Sequence, residues 1–251
     1  MMTLGWLELA RMPWRIVGVA AGLGALLLGV SHLLLPAVPR QALEVLEVGF
    51  ALHGLRAVLV LNDLLAVYAV VFFLGVALLH DAVVSPAETH ELGIWLSKPI
   101  TRAQLLHLRA TPPLAAAAAV GVVMSVLTAL STAAFAPDGG STPLGALLGG
   151  VVLTAGTVAL LTATLSLQVV ATDGFQAVLG AVFVWMLPLL PGSVLLYRPD
   201  VLPPGATAWI LPANLVRADA GLTAGPAVLA AVALAWVGMR VAAVRFGGRE
   251  A

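Results

Sequence analysis

Six apolar runs, at about residues 16–36, 57–79, 114–136, 144–171, 175–197 and 226–244, leave this sequence little choice of fold. A helix of about 20 apolar residues crosses the roughly 30 Å of hydrocarbon in a bilayer, because it satisfies its own backbone hydrogen bonds where no water is present. Runs of this length and number exclude a soluble globular domain. The expected fold is all-α: one polytopic membrane domain over residues 1–251 with six transmembrane helices. Composition agrees, since 61% of the 251 residues are hydrophobic and 10% charged.

Before the first run, residues 1–15 hold Trp6, Glu8, Arg11, Trp14 and Arg15, with Pro13 as a break. Trp and Arg at headgroup level predict a short interfacial helix. The run that follows is too long for a secretory signal and lacks a cleavage site, so it reads as an uncleaved span. Gly18 and Gly22 in it form a G-x-x-x-G, a spacing that lets another helix approach closely. Residues 39–56 place Leu43, Leu46 and Phe50 at helical spacing among charges, which predicts an amphipathic helix on the far side.

The second run carries Asn62 and Asp63. A carboxylate inside a membrane segment is a candidate polar or proton-linked site, and Arg56, two helical turns earlier on the same face, is its expected partner in the structural alternative.

Between the second and third runs lies the main polar interruption, SPAETHELGIWLSKPITRAQLLHLR at 85–109. Ser85-Pro86-Ala87-Glu88 has the form of a capping box with proline at the first helical position, so a helix is expected to start there. Pro99 ends it, and Thr101-Arg102-Ala103-Gln104 is a second capping box that launches the return into the membrane. Leu92, Trp95 and Leu96 share one flank of the first helix, giving an element that can lie flat at the surface.

Farther on, Thr111-Pro112-Pro113 predicts a bend or restart before the third span. Thr142-Pro143 and the pair Asp173 and Gln176 predict helix starts. Pro188 and Pro191 predict a break late in the fifth span. Residues 198–225, rich in Pro and Gly around the short apolar patch 208–211, predict a re-entrant or surface-lying element.

With six spans, the side holding both termini carries Arg11, Arg15, Lys98, Arg102, Arg109, Arg240, Arg245 and Arg249. The other carries Arg40, Arg56, Arg198 and Arg217. Eight basic residues against four predict that both termini and the 85–109 loop are cytoplasmic.

The loop Glu88, Glu91-Leu92, Leu96-Ser97, Pro99-Ile100-Thr101-Arg102 resembles the loop between the second and third spans of ABC type 2 permeases. It departs at His90 and Gly93, where members carry Gly and a longer side chain. In size and layout the chain is similar to single-domain members, those serving nitrous-oxide-reductase maturation among them. The resemblance implies a coupling helix seated on a separate ABC ATPase subunit, with Glu88, Glu91, Leu92, Trp95, Leu96, Pro99 and Arg102 at the contact. It also implies an elbow helix at the N-terminus and a location in the bacterial cytoplasmic membrane. A second permease copy or a paralogous permease would complete the pathway, and a periplasmic protein is a further candidate partner.

Other chemistry is sparse. No G-x-x-x-x-G-K-[ST] is present, so this chain offers no P-loop; ATP and Mg would sit on the partner, and no cofactor is expected here. His90-Glu91 begins H-E-x-x-H, but Ile94 stands where the second His belongs. His53, His80, His90 and His107 do not pair with carboxylates at metal-ligand spacing. The chain has no cysteine and a net charge of zero, which leaves no thiolate chemistry and no electrostatic footprint for nucleic acid. Two functions remain: a permease subunit without enzymatic activity of its own, and an ATP-independent carrier or intramembrane enzyme built around Asp63. The substrate is not legible, since spans lined by Ala, Leu and Val suit lipids, hydrophobic drugs, peptides or no cargo.

Overall fold

The computed structural model describes residues 12–34, 37, 39, 41, 44, 55–88, 100–135, 142–171, 173–190 and 220–248. Among these, all regular structure is helical: α1 (Trp14–Leu34), α2 (Leu55–Leu79), α3 (Ser85–Glu88), α4 (Arg102–Phe135), α5 (Pro143–Gln168), α6 (Gly174–Met186) and α7 (Ala220–Gly247). A π-helical segment, His80–Val84, joins α2 to α3 without interruption. Five stretches are long and apolar enough to cross a membrane: Trp14–Leu34, Leu59–Val84, Arg102–Ala134, Pro143–Gln168 and Ala224–Gly247. The sixth expected span, 175–197, is represented by the shorter apolar stretch Gly174–Leu189. The expected elements at 1–11, the helix within 39–56 apart from isolated residues and its last turn, and 198–219 lie outside the described residues.

Helix starts follow the local chemistry. Thr142 accepts from the Gly145 amide at 3.0 Å ahead of Pro143, and Asp173 accepts from the Gln176 amide at 2.8 Å. At α4 the box is reciprocal: the Gln104 amide donates to Thr101 Oγ1 at 3.2 Å and the Thr101 amide donates to Gln104 Oε1 at 2.9 Å. Each bond satisfies a donor that the first turn would leave orphaned.

Three expectations are corrected. Ser85 does not cap a new helix: its backbone is helical (φ −56°, ψ −44°) and its amide donates to the His80 carbonyl, so the chain enters α3 through the π-turn. An N-cap needs an extended backbone, which Ser85 lacks. Thr111-Pro112-Pro113 does not restart the third span, because α4 runs unbroken from Arg102 to Phe135 with both prolines inside. Packed membrane helices tolerate such missing donors; the prolines leave the carbonyls of Leu108 and Arg109 without their helical donors, while the adjacent Thr111 hydroxyl donates to the His107 carbonyl at 2.6 Å. Gly18 and Gly22 make no close helix contact among the described residues, since a Cβ on either would meet nothing there within 4 Å.

α5 is the hub, packed on α7, α4, α2 and α6. Glycine and small hydroxyl residues set these approaches. A Cβ on Gly150 would lie 2.6 Å from Ser125 Cβ and one on Gly238 2.9 Å from Thr162 Cβ; away from α5, one on Gly24 of α1 would lie 2.8 Å from Met124 Sδ of α4. Small side chains let helix backbones come close where lipid gives no hydrophobic drive. The buried hydroxyls of Thr157, Thr162, Thr164 and Ser166 on α5 bond to carbonyls of their own helix at 2.6–2.9 Å, so they fill space without stranding a donor.

Contacts at the helix ends fix direction. His32 near the end of α1 meets Asp63 early in α2 and Ser131 late in α4. At the other end Arg102, opening α4, reaches Gly247 of α7, and Arg245 of α7 reaches Ser166 of α5. Thus α1 and α4 run one way, and α2, α5 and α7 the other.

Candidate functional site

One polar cluster lies at the end of the bundle where α1 and α4 finish. Asp63 is 1% exposed and His32 11%. His32 Nε2 lies 3.0 Å from Asp63 Oδ2 and 2.5 Å from Ser131 Oγ, which ties three helices to one ring nitrogen. Asn62 is partly buried beside it. His32 reaches Asp63 from a neighbouring helix. The Arg56 side chain lies outside the described residues.

Serine, histidine and aspartate together invite comparison with a nucleophile relay, and the geometry rules that out. In such a relay the carboxylate orients one ring nitrogen while the other takes the serine proton. Here both partners share Nε2, so the carboxylate competes with the hydroxyl instead of polarising the far side of the ring. The arrangement can hold a proton and hold helices together; it cannot relay a proton from Ser131 through the ring to Asp63. No group of three or more His, Cys, Asp or Glu able to hold a metal occurs among the described residues.

The opposite end carries a set of arginine clamps. Pro86 has no N–H to give to the carbonyl four residues earlier, that of Ala82. Arg109, itself buried, donates from Nη1 to that oxygen at 3.0 Å. Arg245 Nη1 donates to the Ser166 carbonyl at 3.1 Å, and Arg102 Nη1 makes a longer contact of 3.4 Å to the Gly247 carbonyl. Each guanidinium thus meets a carbonyl in the last turns of a neighbouring helix, where the helix dipole favours a cation. Arg240 lies 5.0 Å from the Trp236 ring on the exposed side of α7, a pairing suited to headgroup depth.

Of the residues expected at a partner contact, Arg102 is the first of α4 and Glu88 ends α3, with its side chain outside the described set. Glu91, Leu92, Trp95, Leu96 and Pro99 are also outside it. The structure brings Asp63 into a cluster and leaves Asn62 at its margin. Sequence reasoning missed His32, Ser131, Arg109's role and Tyr68. The Tyr68 hydroxyl donates to the Trp185 carbonyl at 2.7 Å while the two rings stack at 6.1 Å, fastening the end of α6 to α2. For His32 a signal was present: it is an ionisable residue inside the first apolar run, the kind that seeks a partner across helices.

Fold and polar interior together define a helical polytopic membrane protein. Compared with models of known protein families and with curated protein sequences, the chain matches none.

Proposed function

We propose that this chain is the membrane-spanning permease subunit of an ABC exporter-type complex, coupling ATP hydrolysis on a separate ATPase to export or to mechanical transmission across a bacterial cytoplasmic membrane. The observation that carries this reading is the mounting of residues 89–99. They connect α3 to α4, and Arg109 clamps α4 to the π-segment directly before α3. A push on this connection is therefore passed to α2 and α4 together, and through Arg102 to the end of α7. The resemblance of the loop to the ABC type 2 coupling segment supplies the partner class.

The reading includes six crossings. α5 and α7 run in the same direction, so α6 and the residues after it must return the chain to the far end; a re-entrant element within 198–225 suits that return. It also includes both termini on the cytoplasmic side, a second permease copy, and ATP and Mg held by the ATPase alone. Co-expression with an ATPase encoded beside it tests the proposal: the wild-type chain should co-purify with it, and scrambling residues 88–96 should abolish that. Equal recovery after scrambling would overturn it.

One observation favours a second reading, an ATP-independent carrier: the buried His32–Asp63 pair. Substrate movement by the purified chain alone, without nucleotide or ATPase, would establish that reading in place of the first.

A further inference from the structure

We infer that Arg240, held beside the ring of Trp236, docks the phosphate of an anionic phospholipid whose acyl chains lie along the outer face of α7. The inference holds whichever function the chain serves.

The first support is depth. Close contacts align the spans: Gly238 of α7 packs on Thr162 of α5, and Leu161, one position earlier, packs on Gly75 of α2. These three helices run the same way, so Arg240 stands about level with Leu78 of α2. Just beyond Leu78 the apolar run of α2 gives way to His80 and Asp81. Arg240 is therefore placed where hydrocarbon meets headgroups, at the end of the bundle that residues 89–99 join.

The second support is an anion that the protein does not provide. A guanidinium carries a fixed charge and five donors. Arg240 meets the Trp236 ring at 5.0 Å, and it makes no hydrogen bond or ion pair among the described residues. Contact with the ring fixes its position while using little of its hydrogen-bonding capacity. α7 packs on α5 and α4, and none of these three helices contains Asp or Glu. The nearest acid along the chain, Glu250, is ten positions on and lies outside the described residues. A charge facing lipid is costly until an opposite charge meets it. At this depth the abundant opposite charge is the lipid phosphate, which a guanidinium grips through two parallel hydrogen bonds. In a zwitterionic lipid that phosphate already has a cation of its own; in an anionic lipid Arg240 supplies it.

The third support is the face on which the chains would lie. Leu229, Ala233, Trp236, Arg240 and Val244 follow one another at three- and four-residue steps, so they share one side of α7. That side is open: Leu229, Trp236 and Val244 are 71%, 61% and 77% exposed. From Arg240 back to Leu229 is about 17 Å of helix, close to half of the roughly 30 Å hydrocarbon core and so to the reach of one lipid. Nothing charged interrupts the face below Arg240, and the indole of Trp236 marks the change from phosphate to chain.

The test is native mass spectrometry of the full-length chain in detergent, titrated with phosphatidylglycerol or phosphatidylcholine of identical acyl chains and read as the affinity for the first bound lipid. Wild type should favour phosphatidylglycerol by about fivefold, the preference expected of one arginine at a membrane surface. R240Q should remove that preference. R15Q, which deletes the same charge from an exposed arginine at the same end, should keep it. W236L should weaken phosphatidylglycerol binding by roughly two- to fivefold. Excess inorganic phosphate should not displace the lipid, because it has no chains for the Leu229 face. Equal binding of the two lipids by wild type, or an undiminished preference in R240Q, overturns the inference. An R15Q chain that loses as much as R240Q also overturns it, by showing diffuse charge in place of a site. So does displacement by inorganic phosphate, which would make Arg240 a free-anion site. If R240Q instead dissociates a wild-type dimer and leaves the lipid ratio unchanged, a second copy covers this face and the inference falls.

Discussion

Gly150→Ala should destabilise the bundle, although alanine is the better helix former. In an exposed helix the exchange gains about 1 kcal/mol. Against that, the new Cβ would lie 2.6 Å from Ser125 Cβ and 3.1 Å from Ser125 Cα, whereas carbon contacts are comfortable at about 3.5–4.0 Å. A flexible side-chain tip could swing away, but the backbone of α4 cannot, so α4 and α5 must separate by roughly 1 Å. Such overpacking costs about 1–3 kcal/mol, and a gap of that size forfeits a quarter to a half of each dispersion contact along the seam. The net expectation is a loss of about 1–2 kcal/mol. Gly156→Ala is the control, since its Cβ would meet nothing within 4 Å and should be neutral or stabilising. Reversible unfolding in mixed micelles reads both. Adding Ser125→Gly to Gly150→Ala should recover stability beyond the sum of the single changes by about 1 kcal/mol. If Gly150→Ala proves as stable as Gly156→Ala, the close approach of α4 and α5 is not what holds the hub.

Asp63→Leu, which leaves His32 and Ser131 without the carboxylate, should cost about 1–3 kcal/mol in the same unfolding assay, while Asp63→Asn should cost less than about 1; equal losses would show that the pair contributes nothing as a pair. Arg109→Ala should expose the Ala82 carbonyl, lower stability by about 1–3 kcal/mol and speed amide exchange across His80–Val84, whereas Arg102→Ala, at the longer and exposed contact, should change stability by less than about 0.5. Because the chain has no cysteine, Ser97→Cys provides a unique label site: a membrane-impermeant maleimide should modify it in inside-out vesicles and not in intact cells, and labelling from outside would reverse the orientation.

Much of the fold was legible because membrane helices announce themselves by length. The starts at Thr142, Asp173 and Thr101 were legible too, since a cap is decided by two or three adjacent residues. Ser85 and Pro112-Pro113 misled for one reason: local rules assume water and an isolated helix. In the bundle Arg109 answers the carbonyl that Pro86 leaves, and Thr111 turns its hydroxyl back on His107 next to the paired prolines. The candidate site was half visible. Asp63 stood out as an acid among apolar residues and Arg56 on its own helix was a legible neighbour, but His32 was not. His32 is 31 positions away and Ser131 99 away from His32, separations that no helical periodicity encodes.

The wide turn at His80–Val84 has a consequence for everything downstream of it. A five-residue repeat accommodates one residue more than an ordinary turn, and each residue of an α-helix accounts for about 100° of azimuth. The turn absorbs that residue so that the helix on either side keeps its phase; were all five residues wound as ordinary α-helix, the surplus one would swing Ser85–Glu88 by roughly that angle. The same side chains would then leave the membrane facing a different quarter of the compass, with the spans behind them unmoved.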